Sequence, residues 1–497
     1  MTAHTTQTAL LRRTGVMVTR DPRRVAAALF LPGQEPSAPG SSRAAGLVER
    51  CSLLSDDEVD ATLADVRAGY AGRHTDLDAV LRNNFAAIAH RVPEVADLSA
   101  DRRLLIGAYF TREIAVEAAA LFNPSIVPHP VQSAASDGLR FVMSARAVSE
   151  GHLSTIVFRS GTFAPSEGPG GLRLEDASRF VSLGARRDAP LGRERLRLQA
   201  QADGADPETL DYVLSNLPDG VDLAALDAAT HALRQEALTR IDIDATIEML
   251  RRTVASSYEV IFDPASKVCE RTLFPEADSE SHGMEDARFT RLVADDGTAT
   301  YAATYTAFDG SHVGSRRLDT DDFRTFRSSP LTGVAAENKG MALFPRQVGG
   351  RYLALSRWDR ENNAVASSAD GYHWDDVAGL QTPEQRWELT QLGNCGPPLE
   401  TEIGWVVLTH GVGPMRAYAM GALLLDLDEP TKVIGRLTEP LLEPRGAERD
   451  GYVPNVVYSC GALIHEQKLL LPYGCSDTSI RFGVVDVPRL LERLVSG

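Results

Sequence analysis

The stretch Gly283-Met-Glu-Asp-Ala-Arg-Phe289 sets two adjacent carboxylates, Glu285 and Asp286, and the guanidinium of Arg288 at the start of a hydrophobic run. Its first residue permits a turn, and the run that follows is typical of a strand. Neighbouring side chains of an extended segment point to opposite faces. We therefore expect Asp286 and Arg288 to share one face and Glu285 to take the other. An isolated acidic pair is usually solvated, so its meaning depends on the rest of the chain.

The same pattern occurs five times between residues 123 and 473. Each copy has a polar or Pro-containing entry, a short apolar strand, a turn rich in Gly, Asp or Glu, and a second apolar strand that ends on a polar side chain. The last four copies recur at roughly 50 to 60 residues, which is typical of propeller blades. The copies are Asn123 to Arg146, Glu285 to Thr306, Lys339 to Arg357, Pro397 to His410 and Asn455 to Tyr473.

These repeats predict a mainly β fold, a five-bladed β-propeller whose hairpin ends converge on a central axis. A β-sandwich, or two stacked sheets, is the alternative that the short strands leave open. We assign the first blade to residues 123–190 and the remaining blades to residues 259–497.

Helical periodicity marks the start of the chain. Residues 1–50 look irregular and include a linker rich in Pro, Gly and Ser at 32–42. Ser55-Asp-Asp-Glu58 fits a capping box and predicts a helix start. A second helix is predicted from Ser99 to the Asn123-Pro124 pair, because the residue before Pro is pushed out of the helical region. Residues 1–122 are thus assigned to an N-terminal linker and helical region.

A second helical segment separates the first copy from the second. Ile243, Ile247, Leu250 and Val254 keep one helix face apolar. We interpret residues 191–258 as a helical insertion between the first and second blades.

Composition excludes several classes of partner. With 51 basic and 68 acidic residues the net charge is -17, which disfavours nucleic acid. Five scattered cysteines without a CxxC pair argue against zinc and against a disulfide framework. No stretch reaches the roughly 18 to 20 apolar residues of a membrane span. We expect a cytoplasmic protein without nucleic-acid or membrane partners, and the helical regions are candidate surfaces for a homo-oligomer.

The hairpin ends gather side chains that are unlike a structural core. Cations that converge on a cavity repel one another and are usually kept for an anion. Arg binds phosphate through two donors, Lys supplies a point charge, and His adds a group whose charge depends on pH. The residues are Asn123, Arg146, Glu285, Asp286, Arg288, Lys339, Arg357, His410, Tyr473 and Asp477.

The motifs around these residues follow one another in a distinctive order. They are Asn123-Pro-Ser-Ile-Val with Gly151-His152 following, Gly-Met-Glu-Asp-Ala-Arg at 283–288, Thr304-Tyr-Thr-Ala, Lys339-Gly-Met-Ala-Leu-Phe-Pro, Thr409-His-Gly and Tyr473-Gly-Cys-Ser-Asp477. In this order and spacing they resemble glycoside hydrolase family 130 over residues 120–165 and 280–490. The resemblance implies a five-bladed propeller that acts on β-linked mannosides, in most members as an inverting phosphorylase and in some as a hydrolase.

The resemblance also implies roles. Asp286 would be the proton donor, acting through a sugar hydroxyl, and Asn123 and Asp477 would bind the terminal mannose. The residues near phosphate would be Arg288, Lys339, Arg357 and His410. We add, as candidate substrate-binding residues at or near hairpin ends, Arg146, Glu285, Tyr305 and Tyr473.

Two positions depart from the family pattern. Ala287 stands where a Pro usually separates the acid from the Arg, which loosens the backbone there. Asn338 precedes Lys339 where many phosphorylases carry His.

Three functions are open at this point. An inverting hydrolase needs a second carboxylate about 6.5 to 9.5 Å from the acid, and Glu337 and Glu400 are the candidates for that base. A phosphorylase needs cations that hold phosphate, and Lys339 and His410 favour this reading. We expect phosphorolysis of β-1,2-linked or other β-linked manno-oligosaccharides to mannose 1-phosphate, with phosphate as co-substrate and no metal or other cofactor. A non-catalytic carbohydrate-binding propeller is the third hypothesis.

Overall fold

Antiparallel strand pairs form most of the regular structure. The computed structural model describes residues 10–33, 36–38, 41–91, 97–132, 138–236 and 243–496. All five predicted strand pairs are present, and we call them hairpins 1 to 5; the turn predicted at 133–137 lies outside the described residues. The pairs are Ala120–Pro128 with Leu139–Val148, Gly283–Val293 with Ala299–Phe308, Ala342–Leu343 with Tyr352–Ser356, Leu399–Glu400 with Trp405–Val412, and Leu463–His465 with Lys468–Cys475.

Further strands extend each hairpin into a sheet. Hairpins 1 and 2 share a 12-stranded sheet, hairpin 3 lies in a 4-stranded sheet, and hairpins 4 and 5 each lie in a 5-stranded sheet. The added strands of the first sheet are Ser154–Phe163, Leu172–Leu174, Ser182–Leu183, Ala185–Asp188, Tyr258–Ile261, Arg271–Leu273, Val313–Thr320 and Thr325–Pro330. Those of the later sheets are Asn363–Ser368, Asp376–Gln381, Gln391–Asn394, Tyr418–Leu425, Val433–Arg436, Val457–Tyr458, Ser479–Asp486 and Leu11–Thr19.

Hairpins 1 and 2 carry a β-bulge at the same place in their first strand. The pairing register shifts between residues 122 and 125 and again between residues 285 and 288. Asn123 and Asp286 occupy these bulges with φ angles of 49° and 57°. Asn and Asp tolerate this left-handed conformation better than other side chains, and a bulge turns its side chain out of the strand alternation.

Contacts between hairpins follow the chain order and return to the start. Four of the five links are hydrogen bonds. The link between hairpins 4 and 5 is a close backbone approach: a side chain added to Gly396 would place its Cβ 2.3 Å from the Cys460 carbonyl oxygen. The linking pairs are Ser125 with Phe289, Thr304 with Met341, Gly340 with Asn394, Gly396 with Cys460, and Cys460 with Pro124.

The N-terminal helices are Arg43–Ser52, Asp56–Tyr70, Leu77–Ile88 and Ala100–Tyr109. The capping box at Ser55 is confirmed, since its hydroxyl and the Glu58 carboxylate each bind the other's backbone. The helix predicted to reach Asn123 is wrong beyond Tyr109. There Thr111–Ala115 pairs with Val25–Leu29, and hairpin 1 begins. A strand buried on both faces reads as a continuous apolar run, which periodicity does not separate from a buried helix.

The second helical segment consists of Arg193–Ala202, Pro207–Ser215, Leu223–Glu236 and Ile243–Ala255, with a short strand pair of Leu191–Gly192 and Gly220–Val221. The predicted apolar face of its last helix is confirmed, because all four of its residues are buried in a core that the segment forms with itself. Val487–Ser496 is the last helix of the chain. Within the described ranges, no helix has both the length and the apolar character needed to cross a membrane.

The expectation of an irregular start is wrong. Leu11–Thr19 pairs antiparallel with Ser479–Asp486, with Leu11 opposite Val485. The predicted linker also contains two short paired strands, Pro36–Ala38 and Ser41–Ser42. These strands are stabilised by partners that local periodicity does not reveal.

Candidate active site

Asp286 receives hydrogen bonds from hairpin 1. Asn123 Nδ2 donates to Asp286 Oδ1 at 2.6 Å, and Arg146 Nη1 donates to the same oxygen at 3.2 Å. Within the described part of the chain, the second oxygen, Oδ2, receives no hydrogen bond. The two bulges therefore face each other, and they leave one carboxylate oxygen available to a ligand.

Glu285, the neighbour of Asp286, accepts hydrogen bonds from two cations. Arg146 Nη2 donates to Glu285 Oε1 at 2.6 Å, and Lys339 Nζ donates to Oε2 at 2.7 Å. Because Arg146 contacts both carboxylates, Glu285 and Asp286 lie on the same side. The prediction that they face apart is wrong, since it assumed regular alternation where the strand has a bulge.

Arg288 is 2% exposed and has no carboxylate partner among the described residues. Its Nη1 donates to the Asp286 carbonyl oxygen at 3.1 Å and its Nη2 to Tyr458 Oη at 2.7 Å, while its Nε is buried and unpaired. Arg357 also has a buried, unpaired Nε, and in the described ranges it forms no ion pair. A buried donor without a partner is costly, so the unpaired Nε groups of the buried Arg288 and the half-buried Arg357 mark a site for an anion.

His410 completes this cationic group from hairpin 4. Its Nδ1 lies 3.2 Å from the Asn394 carbonyl oxygen, and its ring is parallel to that of Tyr418 at 5.9 Å. Burial, with the neighbouring charges of Arg357 and Arg288, lowers the pKa of His410 to about 3. The imidazole is therefore neutral at neutral pH.

The two aspartates differ in protonation. Burial alone would raise the pKa of Asp286, but the charges of Arg146 and Arg288 outweigh burial and hold the pKa below its ordinary value. Burial and the charge of Asp286 raise the pKa of Asp477 to about 7. Without a ligand, Asp286 is ionised at neutral pH and Asp477 is partly protonated.

Two predicted substrate-binding residues lie elsewhere. Tyr305 is 2% exposed, and its hydroxyl contacts Glu280 and Ser328. Tyr473 is 0% exposed and donates to Glu448 Oε1 at 2.9 Å. The predicted contact of Tyr305 and Tyr473 with substrate is wrong, because both side chains are enclosed and both hydroxyls are already paired.

The two candidate bases have different outcomes. Glu400 is bound by Arg346 at 2.7 Å in a pair that is partly exposed. The prediction that Glu400 supplies a base is wrong, because Glu400 lies opposite Trp405, at the other end of the strand that carries His410 and roughly 16 Å from that histidine. Glu337 is exposed, and none of the hydrogen bonds around Asp286 involves it. Its role stays a prediction.

Sequence reasoning missed Tyr458 and Asn394, which hold Arg288 and His410 in place. Asn394 had a detectable signal. Asn394-Cys-Gly396 repeats the pattern of Asn338-Lys-Gly340, and both glycines adopt positive φ, 116° and 99°. Tyr458 has no comparable motif, since a tyrosine near a strand end is common in cores.

The arrangement can hold an anion near the carboxylate of Asp286. Lys339, Arg288 and Arg357 can hold an oxyanion, and Asp286 Oδ2 accepts no hydrogen bond from the described residues. In the part of the chain that the structure describes, no three His, Cys, Asp or Glu side chains gather as metal ligands.

A family model described as beta-1,4-mannooligosaccharide phosphorylase, of glycoside hydrolase family 130, matches residues 246–495, which is half of the chain. The chain belongs to glycoside hydrolase family 130. The family 130 match includes the bulge at Asp286 and the cations of hairpins 3 and 4. It begins after hairpin 1, which supplies Asn123 and Arg146.

Individual relatives agree with family 130. The chain is 34% identical over 221 residues to a 1,2-beta-oligomannan phosphorylase of Thermoanaerobacter sp. (strain X514), covering 43% of this chain and 71% of the relative. It is 32% identical over 231 residues to a beta-1,2-mannobiose phosphorylase of Listeria innocua, covering 45% and 63%. A solved structure of a beta-1,2-mannobiose phosphorylase from Listeria innocua in complex with beta-1,2-mannobiose aligns with a TM-score of 0.45 and 21% identity over 77% of this chain and 94% of that chain.

Proposed function

We propose that this chain is an inverting β-mannoside phosphorylase that transfers a terminal β-linked mannose to phosphate and releases mannose 1-phosphate. The observation that carries the proposal is that the buried guanidinium of Arg288 and the half-buried one of Arg357 lack a carboxylate partner among the described residues. Arg288 contacts the Asp286 backbone, Lys339 binds the neighbouring Glu285, and the charge of Arg357 acts on His410. The names of the family and of the relatives support an enzyme of this type.

The five hairpins are, in this proposal, the inner parts of five propeller blades. The cyclic order of their contacts supports this interpretation, because residues in or just before each hairpin contact the next, and Cys460, just before the fifth, contacts Pro124 of the first. The first blade covers residues 123–190 and the remaining blades residues 259–497. Residues 1–122 and 191–258 are the N-terminal region and the helical insertion, and a propeller axis would bring the bulges and cations of different blades to one pocket.

Phosphate would bind to Arg288, Lys339, Arg357 and His410. Its charge compensates the cations that hold the pKa of Asp286 below its ordinary value. Phosphate binding would therefore raise the pKa of Asp286 and let it carry the proton that the leaving sugar needs. The family resemblance places a sugar hydroxyl between this proton and the glycosidic oxygen.

The terminal mannose would contact Asn123, Arg146 and Asp477. Glu285 was predicted to bind substrate as well, but both of its oxygens already accept hydrogen bonds from Arg146 and Lys339. We assign it to the orientation of those two cations. Such fixed partners keep reacting groups within the narrow geometry that catalysis requires.

The linkage we propose is β-1,2. Three relatives at 32–34% identity are named for β-1,2-linked substrates, whereas the family model is described by a β-1,4 activity. Each of these relatives aligns with less than half of this chain, so the acceptor side of the pocket is where the linkage has to be tested.

The test is incubation with β-1,2-mannobiose and with β-1,4-mannobiose, each with and without phosphate. We expect mannose 1-phosphate only when phosphate is present, and a higher rate with the β-1,2 disaccharide. Equal release of mannose with and without phosphate would instead establish hydrolysis. Binding of the disaccharide without turnover would establish a carbohydrate-binding protein.

A further inference from the structure

His410 has one defined hydrogen bond, and that bond fixes its tautomer. A carbonyl oxygen only accepts, so the Nδ1 that lies 3.2 Å from the Asn394 oxygen must carry a proton. In a neutral imidazole the other nitrogen, Nε2, then has a lone pair and no proton. Among the described residues, no side chain or backbone group donates to this Nε2.

The ring is held in this orientation. Gly393 lies opposite His410 in the strand ladder, where a side chain would come within 2.5 Å of the ring. Tyr418 lies parallel to the ring, and Tyr458 meets it edge-on at 4.8 Å. His410 itself is 3% exposed, so it cannot turn to exchange its two nitrogens without disturbing this packing.

The other side chains of the proposed phosphate site only donate. Arginine and lysine have no acceptor atom, so Arg288, Lys339 and Arg357 can each meet an unprotonated phosphate oxygen. Nε2 of His410 is thus the one acceptor among the four proposed phosphate ligands. An anion whose oxygens all lack protons would place a lone pair against this nitrogen.

We propose that His410 accepts a hydrogen bond from the P–OH group of bound phosphate and thereby selects hydrogen phosphate over sulfate. The inference rests on the proposed phosphorylase function and adds the protonation state of the nucleophile. Phosphate keeps at least one P–OH at neutral pH, whereas sulfate has none. A site that pairs with a substrate hydroxyl rejects an analogue that lacks it, because its buried polar group is left unpaired.

The proton count of the reaction is consistent with this arrangement. An unprotonated phosphate oxygen forms the new bond to the anomeric carbon while the bond to the glycosidic oxygen breaks. Asp286 supplies the proton of the leaving sugar and becomes a carboxylate. The P–OH proton stays on the mannose phosphate ester and is lost to water after release, since the second pKa of such an ester is about 6.

The experiment compares phosphate, arsenate and sulfate in the wild-type enzyme. Arsenate carries an OH group as phosphate does, so we expect it to bind within about tenfold of phosphate and to support release of mannose. Sulfate should compete with phosphate at least about 100-fold more weakly. In His410→Gln, whose amide can donate to sulfate, this preference should fall below about tenfold, whereas the exposed control His312→Gln should keep it.

Nitrogen-15 NMR gives a readout independent of activity. The His410 signals, identified by their loss in His410→Gln, should show a neutral ring protonated at Nδ1 at pH 7. A doubly protonated ring, or sulfate competing within tenfold of phosphate, would overturn the inference while the phosphorylase function stands. If the enzyme neither binds nor consumes phosphate, the proposed function itself fails. Should the variant not fold, the comparison of anions in the wild type still decides.

Discussion

Hairpin 2 contributes to two clusters of buried charge, through Tyr305 in one and through Glu285, Asp286 and Arg288 in the other. In one, the Glu280 carboxylate is bound by Tyr258 at 2.8 Å and by Arg316 at 3.0 Å, and it also contacts Tyr305. In the other, Glu285 and Asp286 are bound by Arg146, yet Arg288 has a buried Nε without a partner. In the first cluster every buried polar atom named here has a hydrogen-bond partner, so we call it saturated; in the second, one buried donor has none.

This difference shows which observation identifies a site. Both clusters contain a glutamate, an arginine and a tyrosine, so composition does not distinguish them. A saturated network stabilises a unique core, while a buried guanidinium with an unpaired donor gains its missing partner only when an anion binds. The pairing of the guanidiniums, and not their presence, separates the structural cluster from the candidate active site.

The largest effect is expected from Asp286→Asn in the unsaturated cluster. The amide keeps the shape of the side chain but cannot deliver a proton, so the rate of mannose 1-phosphate formation should fall by about 10²–10⁴-fold. Calorimetric titration with the disaccharide serves as the control and should show binding within a few-fold of wild type. A variant that keeps its rate would assign the proton to another group.

The second largest effect is expected in the saturated cluster, on stability and not on turnover. Glu280→Gln leaves the buried Arg316 without its counter-charge and should lower the free energy of unfolding by about 3–5 kcal/mol. The exposed pair of Glu259 with Arg327 provides the matched control, and Glu259→Gln should cost at most about 1 kcal/mol. Denaturant unfolding measures both variants. The turnover per folded molecule should stay near wild type, and a loss of turnover without a loss of stability would place Glu280 in the active site.

A smaller and more selective effect is expected from Glu285→Gln. Without this negative charge, Asp286 is more strongly stabilised as a carboxylate, so its pKa falls further and kcat drops by up to about 100-fold. Lys339 is released toward phosphate, so KM for phosphate should not rise. The decline of kcat with increasing pH should begin at a lower pH than in wild type.

The matched control for that variant is Glu400→Gln, because Glu400 pairs with Arg346 away from the site. Its kinetics should match wild type. A Glu285→Gln enzyme that loses kcat and phosphate affinity together, with an unchanged pH profile, would indicate a structural role only.

The smallest effect concerns Asp477, whose pKa is raised to about 7 by burial and by Asp286. The folded state then binds more protons than the unfolded chain between about pH 4 and pH 7, so this group's contribution to stability is lost as the pH rises. The difference in free energy of unfolding between Asp477→Asn and wild type should therefore shift in favour of the variant by about 1–3 kcal/mol between pH 5 and pH 8. Unfolding without sugar at both pH values tests this, and a difference that does not change with pH would contradict the raised pKa.

The features that could be predicted from the sequence are those that follow from the pattern of apolar and polar residues. The five strand pairs follow from alternating apolar runs, and the helix at residues 243–255 follows from its apolar face. Asp286, Lys339 and Glu285 were found because polar hairpin ends recurred at similar positions. In the structure Lys339 binds Glu285, and Arg146 binds both Glu285 and Asp286.

The remaining features depend on backbone irregularities and on contacts between distant segments, which the pattern of apolar and polar residues does not reveal. A bulge of one residue reverses the face of Glu285, and no local signal marks it apart from the tolerance of Asp286 for positive φ. Tyr305 is enclosed by partners from distant segments, Glu280 and Ser328. The helix after Ser99 was extended too far because the buried strands that follow it share its hydrophobicity.

The pairing of Leu11 with Val485 constrains the order in which the chain can be assembled. Leu11–Thr19 cannot pair with Ser479–Asp486 until all the residues between these two strands have been synthesised. Contacts so distant in sequence form slowly, and an uncovered strand edge can associate with other chains in the meantime. Recombinant yield should therefore respond strongly to removal of residues 11–19, even though they lie outside the pocket.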